Sequence, residues 1–111
     1  YPVITMEEKN AHKGSKKQFL GENPDEKLVK RYSNELQVDK RTPGAFIALS
    51  GDDQSVKPIH SENYHKALRR LGIASEMHIY SSGKHGWGYN KRPFAQRAEM
   101  MEDLENWLMT L

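Results

Sequence analysis

The chain has 111 residues, 36% of them hydrophobic and 29% charged, a composition that suits one small folded domain and excludes a low-complexity tail. Seventeen Lys and Arg against fifteen Asp and Glu leave a net charge of +2, and the two small basic groups (Lys13, Lys16, Lys17 and Lys66, Arg69, Arg70) are too sparse for a nucleic-acid surface. The absence of cysteine excludes disulfides, thiolate chemistry and cysteine-ligated zinc.

Tyr1-Pro2-Val3-Ile4 opens the chain like the end of a buried strand, so further sequence is expected before it. His12 to Gly21 reads as a polar loop with glycines near both ends. Asn23-Pro24-Asp25-Glu26 marks a helix start, with Asn23 as cap and Pro24 in the first helical position. Leu28 and Tyr32 lie four apart and are expected to face inward, and Ser33-Asn34 ends the helix. Thr42-Pro43-Gly44 then turns the chain into Ala45-Phe46-Ile47-Ala48-Leu49-Ser50, a continuous apolar run that suits a strand buried on both faces. The polar loop Gly51-Asp52-Asp53-Gln54-Ser55 follows.

In the next helix Tyr64, Ala67, Leu68 and Leu71 recur at helical spacing, and Gly72 is the expected stop. Ser75 to Tyr80 alternates as a strand should. A glycine-rich loop, Gly83-Lys84-His85-Gly86-Trp87-Gly88, leads to a last amphipathic helix over about 95–111, with Met101, Leu104, Leu108 and Leu111 as its stripe. No apolar run is long enough to span a bilayer, and no signal peptide is visible, which leaves the compartment open.

Strand, helix, strand, helix implies parallel strands joined by a crossover, an α/β layered sheet. Parallel sheets are covered on both faces and contain several strands, whereas this chain supplies two good strands and at most a third at its start. An open sheet edge and an uncovered apolar face are therefore expected, met either by self-association or by a further segment. In such sheets functional groups gather beyond the carboxyl ends of the strands. One loop there carries Asp52 and Asp53, the other His85. If the two strands are neighbours, their ends lie about 5 Å apart, and a carboxylate can hold one imidazole nitrogen as N–H while the other accepts a proton.

Thr42-Pro43 before an apolar strand, then Gly51-Asp52-Asp53-x-x-Val56, then a helix holding Tyr64 and Ala67-Leu68, resembles the segment around the acid of the α/β-hydrolases. Met77-His78-Ile79-Tyr80 with Gly83-Lys84-His85-Gly86-Trp87-Gly88 resembles the strand and G-x-H-G loop around their histidine. The opening Tyr1 to Ile4, with His12-Lys13-Gly14-Ser15 and Phe19-Leu20-Gly21, is similar to the bacterial dienelactone-hydrolase-like esterases that include acetyl xylan esterases and feruloyl-esterase-like proteins. Members are often found with polysaccharide-degrading systems.

The resemblance implies that residues 1–111 are the C-terminal part of a single α/β-hydrolase domain, with an incomplete sheet. It puts the acid on Asp53, three before Val56, and the base on His85, with Asp52 as the second candidate for the acid or else a residue that hydrogen-bonds the loop. The nucleophile would be a serine in G-x-S-x-G, a motif this chain lacks: Ser15, Ser50, Ser81 and Ser82 do not fit the pattern. Serine and oxyanion hole are thus expected before Tyr1, and the 111-residue chain alone is expected not to turn over esters. Val56-Lys57-Pro58 departs from the family's usual Val-Pro by one displaced proline.

The substrate class implied is acetylated or feruloylated plant polysaccharide, with no cofactor, nucleic acid or membrane involved. Trp87 and Tyr89 stand as stacking surfaces for a sugar or acyl group, or as packing that stiffens the loop. Among five histidines, His60 and His65 are five apart and share no helix face well, no H-E-x-x-H occurs, and no metal site is expected; His78 reads as an ordinary strand side chain. Two other readings stay open: a prolyl-oligopeptidase-type serine peptidase with the same C-terminal arrangement, and a non-catalytic hydrolase piece acting by association.

Overall fold

The structure is a computed structural model that describes residues 1–88 and 92–111. In chain order the elements are α1 (Lys13–Leu20), α2 (Glu26–Tyr32), a short 3-10 turn (Asn34–Leu36), β1 (Ala45–Ser50), α3 (Ile59–Arg70), β2 (Ser75–Tyr80) and α4 (Arg97–Leu108). β1 and β2 pair in parallel, in register from Ala45 opposite Ser75 to Ser50 opposite Tyr80, with α3 as the crossover. Parallel pairing sends the loops after Ser50 and Tyr80 out of the same rim.

The pleat divides β1 between two faces. Ile47 and Leu49 point one way and are buried, Leu49 to 1% exposure. Phe46 and Ala48 point the other way, toward α4: Phe46 lies 5.9 Å from the Trp107 ring, and Ala48 packs on a buried cluster of Tyr80, Trp87, Phe94 and Met100. α3 packs against both strands, and its Leu68 is fully buried. Leu71 of the expected α3 stripe falls just past the helix end and is 43% exposed, and Gly72 takes the positive φ of 71° that closes the helix.

Three local expectations are corrected. The segment expected as a polar loop contains helix α1, because His12 caps it: Nδ1 accepts from the Ser15 backbone N–H at 3.2 Å. A lysine-rich helix that buries nothing shows no apolar period for sequence reading to find. In α2 the cap is Asp25, not Asn23, its Oδ1 accepting from Leu28 N at 2.8 Å, and neither Leu28 nor Tyr32 is buried. Tyr32 instead meets the exposed Phe19 ring edge-on at 4.9 Å.

α4 is shorter than expected, and its buried residue is Met100; Leu108 and Leu111 are 50% and 78% exposed. Met101, Leu104 and Trp107 line a groove beside β1.

Residues 1–6 do not join the sheet as a strand. Their N–H groups are spent elsewhere: Ile4 N and Thr5 N donate to His60 Nδ1 at 3.0 and 3.2 Å, and Met6 N donates to Ser33 Oγ at 2.9 Å. The Tyr1 nitrogen reaches Ala48 O at 2.6 Å, so the segment does lie alongside β1. Two cavities, of about 640 and 590 Å3, flank β1. No helix among the described residues is long and apolar enough to cross a membrane.

Candidate active site

β1 ends at Ser50, and the turn Gly51-Asp52 delivers Asp53 to the rim, where its side chain is fully buried. A buried carboxylate needs partners for both oxygens. Asp53 Oδ1 accepts from Ser55 N at 2.9 Å and Val56 N at 3.0 Å. Its other oxygen, Oδ2, accepts from His85 Nδ1–H at 2.8 Å. The pair is 32 positions apart in sequence and is joined because β1 and β2 are parallel neighbours. The displaced proline of Val56-Lys57-Pro58 sits just before α3, where Pro58 O accepts from Glu62 N, while Val56 is buried beside the acid.

The loop that carries His85 has an unusual backbone. Gly83, Lys84 and Gly86 take φ of 133°, 56° and 88°. Lys84 is the only non-glycine with positive φ among the described residues, a conformation that must be held by contacts. Asp52 provides one: its Oδ1 accepts from Lys84 N at 2.8 Å. The two adjacent aspartates thus divide the work, Asp52 on the loop backbone and Asp53 on the imidazole.

His85 is about one-third exposed at its side chain, so the ring faces outward from a buried partner. Because Asp53 takes Nδ1–H, Nε2 is the nitrogen left to accept a proton, and it makes no hydrogen bond to a described residue. The Tyr1 ring packs edge-on against the imidazole at a centroid distance of 4.6 Å. Sequence reading took Tyr1 only as apolar strand residue and had no signal for this contact.

Trp87 is 2% exposed. Its ring stacks on Phe94 at 4.0 Å, and its Nε1–H donates to Ser50 Oγ at 2.7 Å. This packing stiffens the loop. Tyr89 lies outside the described residues.

Among the other serines, Ser50 is fully buried, Ser15 bonds His12, and Ser81 Oγ accepts from Gln96 Nε2. No serine hydroxyl among the described residues bonds His85. Nor is any group of three or more His, Asp or Glu placed to hold a metal ion among them. The arrangement is therefore an oriented, partly exposed imidazole with a buried carboxylate behind it, a geometry in which the free ring nitrogen can accept a proton and return it.

A family model described as the prolyl oligopeptidase family matches residues 2–110. The chain belongs to that family. Its parallel sheet and crossover helix match a C-terminal piece of the α/β-hydrolase fold, and its relatives are of acetyl xylan esterase type.

The acetylxylan esterase of Xylanibacter ruminicola is 36% identical over 115 residues, covering 100% of this chain and 24% of that protein. The endo-1,4-beta-xylanase B of Butyrivibrio fibrisolvens is 34% identical over 78% of this chain and 13% of its own length. Among solved structures, the acetyl ester-xyloside bifunctional hydrolase of Caldicellulosiruptor lactoaceticus superposes with a TM-score of 0.90 at 37% identity, over 99% of this chain and 40% of that one. The carboxylesterase Cest-2923 of Lactobacillus plantarum WCFS1 superposes at 0.69 with 20% identity, over 99% of this chain and 42% of its own, a likeness of fold alone. This prolyl oligopeptidase family chain thus spans about a quarter of the acetylxylan esterase it matches.

Proposed function

We propose that this chain supplies the acid and base of a serine esterase acting on acylated plant polysaccharide, with the serine contributed from outside these 111 residues. The observation that carries the reading is the 2.8 Å bond from His85 Nδ1–H to the fully buried Asp53 carboxylate. In this mechanism His85 Nε2 takes the proton of the serine as it attacks the ester carbonyl. A tetrahedral intermediate forms, its oxyanion held by backbone N–H groups also outside the chain. His85 then protonates the departing alcohol, and water, deprotonated by the same nitrogen, releases the acid. Asp53 fixes the imidazole tautomer and stabilises its charged form.

The acyl-polysaccharide assignment is supported by relatives whose names specify acetylxylan and acetyl ester-xyloside hydrolysis. The apolar grooves on either side of β1 are read as seats for further sheet, from another segment of the polypeptide or from a second copy.

The test compares acetylated xylan, a nitrophenyl acetate and a proline-containing peptide as substrates for the polypeptide that carries this chain. Turnover of the two esters and not of the peptide is expected, and the 111-residue chain by itself is expected to be inactive. Cleavage of the peptide in preference to the esters would replace this reading with a serine peptidase. Absence of any hydrolysis by the longer polypeptide would leave the non-catalytic reading.

A further inference from the structure

Ser50 is a fully buried hydroxyl that the proposed mechanism does not use. It ends β1, and its Oγ holds two points of the histidine loop at once: it accepts from Trp87 Nε1–H at 2.7 Å and donates to Ser82 O at 3.2 Å. Those two residues bracket His85. Between them the loop runs in contact with the same hydroxyl, since a Cβ on Gly83 would stand 2.8 Å from Ser50 Oγ. Trp87 is a packed arm for this bond, stacked on Phe94 at 4.0 Å and edge-on to Tyr80 at 6.4 Å.

We infer that Ser50 is a positioning residue, which aims the His85 imidazole at Asp53 by clamping the loop through Ser82 and Trp87. The inference rests on reading His85 as the general base. Three neighbouring side chains of the β1 end then share the loop. Ser50 holds residues 82 and 87, Asp52 holds the backbone of Lys84, and Asp53 holds the ring.

A clamp is needed because the loop is not held by a regular ladder and includes Lys84 at φ 56°, directly before the histidine. A small relaxation of that backbone would swing the ring, and a carboxylate–imidazole bond weakens steeply with misalignment. Ser50 is a poor nucleophile candidate, because its hydroxyl is fully buried and its proton is donated to Ser82 O rather than to His85.

The experiment is nitrogen NMR of the histidine-labelled 111-residue chain, read at a pH where His85 is neutral. The ring shifts give the ratio of Nδ1–H to Nε2–H tautomer, which a purely structural role would not alter. The wild-type ring is expected as the Nδ1–H form. Trp87→Phe, which keeps the stacked ring, should lower that ratio roughly three- to tenfold, the worth of one hydrogen bond, and Ser50→Ala, which removes two, should lower it at least as far. The double variant should fall no further than Ser50→Ala alone, because that change already removes the Trp87 bond together with the one to Ser82 O.

Leu68→Ala, a destabilising change distant in sequence from both loops, should leave the ratio unmoved. An unchanged ratio in Trp87→Phe, or an equal fall in Leu68→Ala, would overturn the inference; should Ser50→Ala not fold, Trp87→Phe decides alone. The two readings separate cleanly. A falling ratio with no ester hydrolysis keeps the clamp and removes the esterase, and His85-dependent hydrolysis with a steady ratio does the reverse.

Discussion

His60 shows how much one side chain can fix. It is 1% exposed, its Nδ1 accepts two backbone N–H bonds from Ile4 and Thr5, and its Nε2–H donates to Asn10 O at 2.7 Å. Only the neutral Nε2–H tautomer satisfies all three. Burial pushes its pKa below the ordinary 6.5, and the like charge of His12 adds to that, while the Asn10 carbonyl and the carboxylates of Glu35 and Asp53 pull the other way.

The sign follows directly. Below 6.5 the unfolded chain binds a proton that the folded ring refuses, so stability is full above that pH and falls as pH drops toward the lowered folded value. Urea unfolding should show a lower midpoint near pH 5 than near pH 7.5, and His60→Ala should cost about 2–4 kcal/mol at the higher pH and flatten the difference. An equal pH slope in the variant would remove His60 as its source. Gly83→Ala is expected to cost about 1–3 kcal/mol in the same assay, since φ is 133° and the new Cβ would meet Phe94 Cδ2 and Ser50 Oγ, each at 2.8 Å. In the sequence His60 is one of five histidines with no spacing signal, and its role depends on a segment more than fifty residues away.

At the scale of elements, the features with a strong period were readable and the others were not. β1 and β2 were placed to the residue, because a turn-bounded apolar run and a short alternating run each have one good interpretation. The Asp53–His85 pairing followed from their order, since consecutive parallel strands deliver their loops to one rim. α1 was missed because its cap is a histidine and it buries no residue, which leaves no apolar stripe to read. The α4 stripe was placed too far toward the C-terminus, as Met100 rather than Leu108 is its buried residue. Trp87 was legible as important but not in which direction it points. The crossover helix holds the sheet through Leu68, and Leu68→Ala should cost about 2–4 kcal/mol by thermal or urea unfolding, whereas Leu71→Ala, at 43% exposure, should cost less than about 1 kcal/mol.

Among the described residues the sheet has two parallel strands, with grooves beside β1. Phe46, Ala48, Met101, Leu104 and Trp107 form an apolar lining that a second surface would bury. The 111-residue chain is accordingly expected to self-associate, with an apparent mass by light scattering that rises with concentration, and Phe46→Glu should abolish that rise. A monomer at high concentration would show that the grooves tolerate water.

The most direct measurement of the central claim is the rate of ester hydrolysis by the polypeptide carrying this chain, wild type against Asp53→Asn. If the buried carboxylate sets the imidazole tautomer, kcat should fall by about a thousandfold or more with KM little changed. A fall of less than about tenfold would contradict the account, because His85 would then work without the partner on which the proposed site is built.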